Sequence, residues 1–413
     1  METKSLKATY EIVVEGYDWG CGVSKTIVHF DDCLDSIETC MFEVLETKQI
    51  TDFTQVPLFP IVENTQLLKV IDAYYCDKNG QRIEKISQDI ALEFYVSPTD
   101  ASPLIFDFHK QVNMWSDPYY LTISINNISQ LTSQGVPIES ICIDSAYTKK
   151  TTSADMFHVN QYGIYQYAYY KPQQETKTLI VWLHGLGEGG TENTDPYVTL
   201  LGNKVTVLSS EEFQRTIGYA HILVPQCPTY WMDNDGKGSN FIDGRIESDG
   251  TSYYSESLYE FIMMYKEKCG AQKVLLAGCS NGGYMTMVMA INHPHDFYGI
   301  IPICEALSDR FISDEDIQSI KDIPMFYIYS KDDTVVIPSL HEIPTIERLK
   351  KAHAKNLHVS TTDHVIDTSG CYKGEDGQPY QYLGHWSWIY FFNNESNCDE
   401  SQISVWQWIK EVV

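Results

Sequence analysis

The sequence predicts an α/β fold, a mostly parallel sheet with helices on both faces, preceded by an all-β sandwich. Three observations carry that expectation. From residue 153 onward, near-continuous apolar runs alternate with segments of helical apolar spacing, as in strands whose two faces are both covered. Up to residue 152 the apolar runs are short, rich in β-formers and divided by turn signals. At 413 residues the chain also exceeds one ordinary core. The boundaries that follow are 1–152 for the β domain and 153–413 for the α/β domain.

In the β domain the strand candidates are ATYEIVVEGY, SKTIVHF, IALEFYVSP, PLIFDFH and PYYLTISI, with DKNG and SPTDASP among the turns. This part offers no convergent set of Ser, His and acid, so an accessory role is expected of it. A tyrosine-rich hairpin, YGIYQYAYYKP, opens the second domain. Its strands are TLIVWLHG, AHILVPQ, KVLLAGCS, GIIPIC, PMFYIYS and LHVSTTD. Between and after them, SESLYEFIMMYKEKCG, NGGYMTMVMAINH, TIERLKKAHAK and SQISVWQWIKEVV have helix-like apolar spacing. The stretch 232–252, rich in Asp, Gly and Ser, is expected to be a long surface loop.

A net charge of −27 argues against nucleic acid or an anionic membrane as partner, since both require clustered Lys and Arg. No run approaches 18 uninterrupted apolar residues, and METKSLKATYEIVVEG has no signal-peptide core. A cytoplasmic protein is the expectation, with a leader trimmed ahead of residue 1 as the alternative. Eleven cysteines are scattered without CxxC or Cys/His ligand spacing, so reduced thiols are expected, with no metal and no cofactor.

LLAGCSNGGYM places two possible nucleophiles, Cys279 and Ser280, between glycines. Centred on Ser280, the run Gly278-Cys279-Ser280-Asn281-Gly282 matches G-x-S-x-G at the end of an apolar strand and before a helix. The chemistry explains the glycines: a nucleophile on a sharp, strained turn tolerates almost no side chain two residues to either side. Centred on Cys279, the flanks are Ala277 and Asn281, and Asn281 is too bulky. Serine then needs a base to take its proton and an acid to orient that base.

In the chain order Ser, acid, His, the acid falls in YIYSKDDTVVIP, where Asp333 is favoured and Asp332 is the alternative. The base is His385 in YLGHWSWIYFFNN, where Gly384 frees the backbone, or His364, directly off the last long strand. Oxyanion donors are expected from the backbone N–H of Leu186, in WLHGLGEGG, and of Asn281, the residue after the nucleophile. His184 then holds the loop and is not a base.

Together, HGLGEGG, PQCPTYWMD, GCSNGGYM, SKDDTVV and GHWSW make residues from about 160 to 413 resemble the α/β-hydrolase superfamily. The resemblance is to its esterases near the prolyl oligopeptidase-type and feruloyl or polyhydroxybutyrate-depolymerase-like branch. The N-terminal part is similar to the immunoglobulin-like domain that precedes some of them. The resemblance implies a triad of Ser280, Asp333 and His385, and a substrate cleft with Trp231 as one wall. Trp386 would line that cleft, and Glu305 in PICEAL would face it to attract a cationic group. YSKDD departs from the His-Gly that relatives often carry before the acid, which keeps Asp332 open. The function implied is a serine carboxylester hydrolase acting on a small-molecule ester. A serine peptidase for short peptides and an inert glycan- or partner-binding protein are the alternatives; the sequence does not specify an oligomeric state.

Overall fold

A computed structural model describes residues 2–190 and 195–413. The chain divides into two compact units, one built from Met1–His109, Asn113–Asp155 and Leu201–Asn203, the other from Lys110–Val112, Met156–Leu200 and Lys204–Val413.

The first unit is rich in strands. Its longest, Lys4–Tyr17, alternates Leu6, Ala8, Tyr10, Ile12 and Val14 inward, as a half-buried strand must. It pairs antiparallel with Gly20–Phe30 and parallel with Val136–Ile143 and Lys149–Thr152. Asp89–Phe94 and Val70–Tyr75 extend that sheet, and a separate one joins Ile61–Leu68, Phe42–Thr51 and Tyr119–Ile125.

The second unit carries an eight-stranded sheet. In chain order its strands are β1 (His158–Tyr162), β2 (Tyr165–Tyr170), β3 (Thr178–Leu183), β4 (His221–Gln226), β5 (Lys273–Cys279), β6 (Gly299–Ile303), β7 (Met325–Ser330) and β8 (Leu357–Thr362). Their order across the sheet is β1-β2-β4-β3-β5-β6-β7-β8. The first two pairings are antiparallel and those from β4 to β8 are parallel. Every residue of β3, β4, β6 and β7 is buried, and these strands read as near-continuous apolar runs with polar residues only at their ends. At the edge, β1 exposes all five residues, and its sequence HVNQY has no apolar signal of its own.

The connecting helices follow the predicted segments: α1 (Ser255–Cys269) after β4, α2 (Asn281–Asn292) after β5, α3 (Glu342–Lys351) after β7 and α4 (Val405–Val412) at the end. Leu258, Phe261, Ile262 and Tyr265 of α1 pack into the same core as Tyr284, Met285, Met287 and Val288 of α2. The parallel strands all end at one edge, where the loops that follow them gather the polar residues described next. Among the described residues no helix is long and apolar enough to cross a membrane.

The stretch 232–252 is largely an exposed, irregular loop, as expected, but it is anchored at a buried point. Asp233 is wholly buried, and its carboxylate accepts from the Thr229 hydroxyl and from the N–H groups of Asp235, Gly236 and Gly238. A short hairpin, Phe241–Ile242 against Arg245–Ile246, follows. The Asp and Gly residues that mark the loop in sequence also fold its first turn around one carboxylate.

Candidate active site

Ser280 stands between β5 and α2 with φ 55° and ψ −116°, a conformation that costs a non-glycine residue free energy. Its N–H donates to the Ile303 carbonyl at 2.9 Å and its own carbonyl accepts from Tyr284 at 2.9 Å, so the turn is held from both sides. The flanking glycines are steric necessities. A Cβ on Gly278 would lie 2.5 Å from the Gly282 oxygen and 2.9 Å from the Leu183 oxygen. One on Gly282 would overlap the Leu183 carbonyl outright. Beyond the turn, a Cβ on Gly283 would meet the Glu305 backbone at 2.8 Å.

The Ser280 hydroxyl donates to His385 Nε2 at 2.8 Å, and His385 Nδ1 donates to Asp333 Oδ2 at 2.7 Å. Asp333 is buried, and its second oxygen accepts from the N–H groups of Val335 at 2.8 Å and Val336 at 2.9 Å. That leaves both carboxyl oxygens satisfied and the imidazole in one tautomer. Asp332 points elsewhere. It accepts from Ser330 at 2.5 Å and from His364 Nδ1 at 2.8 Å. Burial pushes the Asp332 carboxyl up, but the bonds from His364 and Ser330 outweigh it and hold the group below its ordinary value. The structure thus pairs Asp333 with His385 and Asp332 with His364, and only the first pair reaches Ser280.

Cys279 is fully buried, and burial, with the charge of nearby Glu188, pushes its thiol well above the usual range. It is therefore a neutral thiol in the neutral pH range. Leu186 begins a single turn of 3₁₀ helix, Leu186–Glu188, after β3. His184, wholly buried, anchors that turn: its Nε2 accepts from Cys227 N–H at 3.0 Å, so the proton sits on Nδ1 and donates to the Gly185 carbonyl at 2.6 Å. Burial holds His184 down at about 4, which keeps the ring neutral.

Two of the expected substrate contacts are corrected. Trp231 is 0% exposed, packed against His184, Tyr165 and Tyr254, so it belongs to the core and walls no open cleft. Glu305 is also 0% exposed, pressed behind α2, with one oxygen accepting Leu307 N–H at 2.7 Å. It cannot attract a cationic group from solvent. Trp386 remains half-buried beside His385, stacked on Tyr382. Sequence reasoning missed Glu342, at the start of α3 and 0% exposed, which shares its buried surroundings with Glu305 and Asp333. A lone Glu in the first turn of a helix carries no sequence mark of burial.

Burial pushes both Glu305 and Glu342 well above the usual carboxylate range, and their mutual proximity adds to the rise in Glu305. A raised folded value means that the fold holds protons the unfolded chain would release. The stability these protonated groups contribute is complete below the ordinary glutamate value, about 4.3, and is lost as pH rises through the raised values. Glu342→Gln, permanently neutral, is expected to raise the melting temperature at pH 8 by a few degrees, at about 2–4 °C per kcal/mol. It should give no gain near pH 4. Thermal scans at the two pH values check this; an equal shift at both would mean a packing effect unrelated to protonation.

Residues 167–370 match the model of the family described as Phospholipase/Carboxylesterase. The chain superposes on the crystal structure of a thermostable esterase with a TM-score of 0.68 at 18% identity, over 94% of this chain and 96% of that one. A carboxylesterase from Mesorhizobium loti is similar over 54% of this chain and 94% of that one, with a TM-score of 0.36 at 12% identity. No curated protein sequence matches. The second unit has the α/β-hydrolase fold. The protein is a hydrolase, and just under half of its length is similar to the phospholipase/carboxylesterase family. Among the described residues no group of three or more His, Cys, Asp or Glu is placed to hold a metal ion.

Proposed function

We propose that the protein is a serine carboxylester hydrolase acting on small acyl or aryl-acid esters. Ser280 attacks the ester carbonyl while His385 takes its proton, then passes it to the leaving alcohol. Asp333 fixes the imidazole tautomer and stabilises the imidazolium that forms, and the N–H groups of Leu186 and Asn281 hold the oxyanion. Water then attacks the acyl-enzyme with His385 again as base. The observation that carries this reading is the hydrogen-bonded chain from Ser280 through His385 to a buried, doubly satisfied Asp333. Trp386, half-buried and packed on Trp388, whose ring meets His385, is an aromatic surface for an acyl or alcohol group. All eleven cysteines are free, which supports action in the cytoplasm. The strand-rich unit is read as an immunoglobulin-like accessory domain.

Purified protein is expected to hydrolyse short p-nitrophenyl esters and to be labelled at Ser280 by a fluorophosphonate. A panel of acetyl, butyryl and feruloyl esters beside an aminoacyl arylamide sorts the substrates. Faster turnover of the arylamide would replace the esterase reading with a peptidase, and an unlabelled, inactive protein would replace it with a binding role.

A further inference from the structure

The side chain of Asn281 has a role that the esterase reading leaves unassigned. The residue is 2% exposed, and its Oδ1 accepts the Trp231 N–H at 2.5 Å. Its Nδ2 is wholly buried and has no hydrogen-bond partner among the described residues. Burying an unpaired amide costs the fold free energy that a smaller apolar residue would not lose. A residue kept at such a cost calls for a gain elsewhere, and the Trp231 contact shows where it lies.

The segment leaving β4, Gln226 to Trp231, is tied to the loop after β3 at three points. Gln226 Nε2 donates to the Glu188 carbonyl at 3.0 Å, Cys227 N–H to His184 Nε2 at 3.0 Å, and Gly190 N–H to the Cys227 carbonyl at 3.2 Å. The fourth tie runs to the other side of the site, from Trp231 N–H to Asn281. The Trp231 ring, fully buried against His184 with ring centres 5.2 Å apart, keeps the segment from shifting. One short piece of chain therefore connects the loop carrying Leu186 to the turn carrying Asn281.

We propose that the Asn281 side chain is a positioning residue. By clamping Trp231 it fixes, through residues 226–231, the separation of the two N–H groups that hold the oxyanion. The inference rests on the reading of Leu186 and Asn281 as oxyanion donors. Donors aimed at a charge that develops only in the transition state act on kcat and hardly on substrate binding.

The test uses the full chain, with p-nitrophenyl butyrate turnover and amide hydrogen exchange as separate readouts. Asn281→Ala is expected to lower kcat by about 10–100-fold, less than the roughly 100–1000-fold for removing an oxyanion donor because the N–H is displaced and not lost, with KM changed less than about threefold. Peptides covering 226–232 and 184–190 should exchange faster. Because His184 acts through the same segment, adding His184→Gln to Asn281→Ala should cost much less than the product of the two single losses. Asn281→Asp retains an acceptor for Trp231 and should exchange like wild type over 226–232. Asn281→Ser, too short to reach, should behave as the alanine variant does and replaces it if that protein fails to fold. Unchanged kcat, unchanged exchange, or losses that simply multiply would overturn the proposal. If wild type turns over no ester while exchange responds as stated, the clamp stands and the esterase reading falls.

Discussion

Ser280→Ala is expected to lower the rate of p-nitrophenyl ester hydrolysis by about 10⁵–10⁶-fold, the scale seen when a nucleophilic serine is removed. Cys279→Ala should keep activity within several-fold of wild type. The two residues are adjacent, so the contrast isolates side-chain chemistry from any general disturbance of the turn. The Ser280 hydroxyl lies 2.8 Å from His385 Nε2, whereas the Cys279 thiol is sealed in the core and held neutral by burial. A thiol without thiolate character is not the nucleophile. Alanine at 280 must adopt the same positive φ that serine already adopts, so the fold should survive. Thermal scans of both variants, run beside the kinetics, check that the loss at 280 is chemical. A Cys279→Ala protein as inactive as Ser280→Ala would move the nucleophile to the neighbour.

The strands from β3 to β7 were legible because helices on both faces make such segments apolar at nearly every position, and TLIVWL or PMFYIYS needs no alternation to be recognised. Edge strand β1 was legible only through its tyrosine-rich partner, since HVNQY is exposed throughout. The nucleophile turn was legible because its glycines answer to local sterics: Gly278 and Gly282 meet backbone atoms of their own turn and of β3. Trp231 and Glu305 were not. Each follows a strand end, where a rim position and a core position look alike in sequence. Trp231 is buried because the segment after β4 folds back under the loop after β3, a tertiary event with no local signature. For Asn281, the backbone N–H could be singled out from the motif. Its side-chain contact spans 50 residues and could not.

The choice between Asp332 and Asp333 shows the same limit, and it yields a sharp expectation. Neighbouring residues in an irregular turn point in different directions, and no periodicity says which faces the base. In the structure the turn closes so that Val335 and Val336 direct their N–H groups at Asp333 Oδ1, leaving Oδ2 for His385 Nδ1. Asn at 333 keeps its carbonyl oxygen on those two backbone donors, because an amide NH₂ there would meet donors with a donor. Its NH₂ then faces His385 Nδ1 and requires a lone pair from it. That moves the imidazole proton to Nε2, where it opposes the Ser280 hydroxyl. Asp333→Asn is therefore expected to lower kcat by about 10⁴-fold at neutral pH through the wrong tautomer, with geometry intact. Asp332→Asn alters the bonds to Ser330 and His364, whose side chain is 57% exposed, and keeps nearly the same shape beside Gly384. It should keep kcat within a few-fold. Kinetics of the two variants at one pH, with their melting temperatures, decide the matter. Equal losses at both positions would mean that the turn, and not the carboxylate on His385, is what catalysis requires.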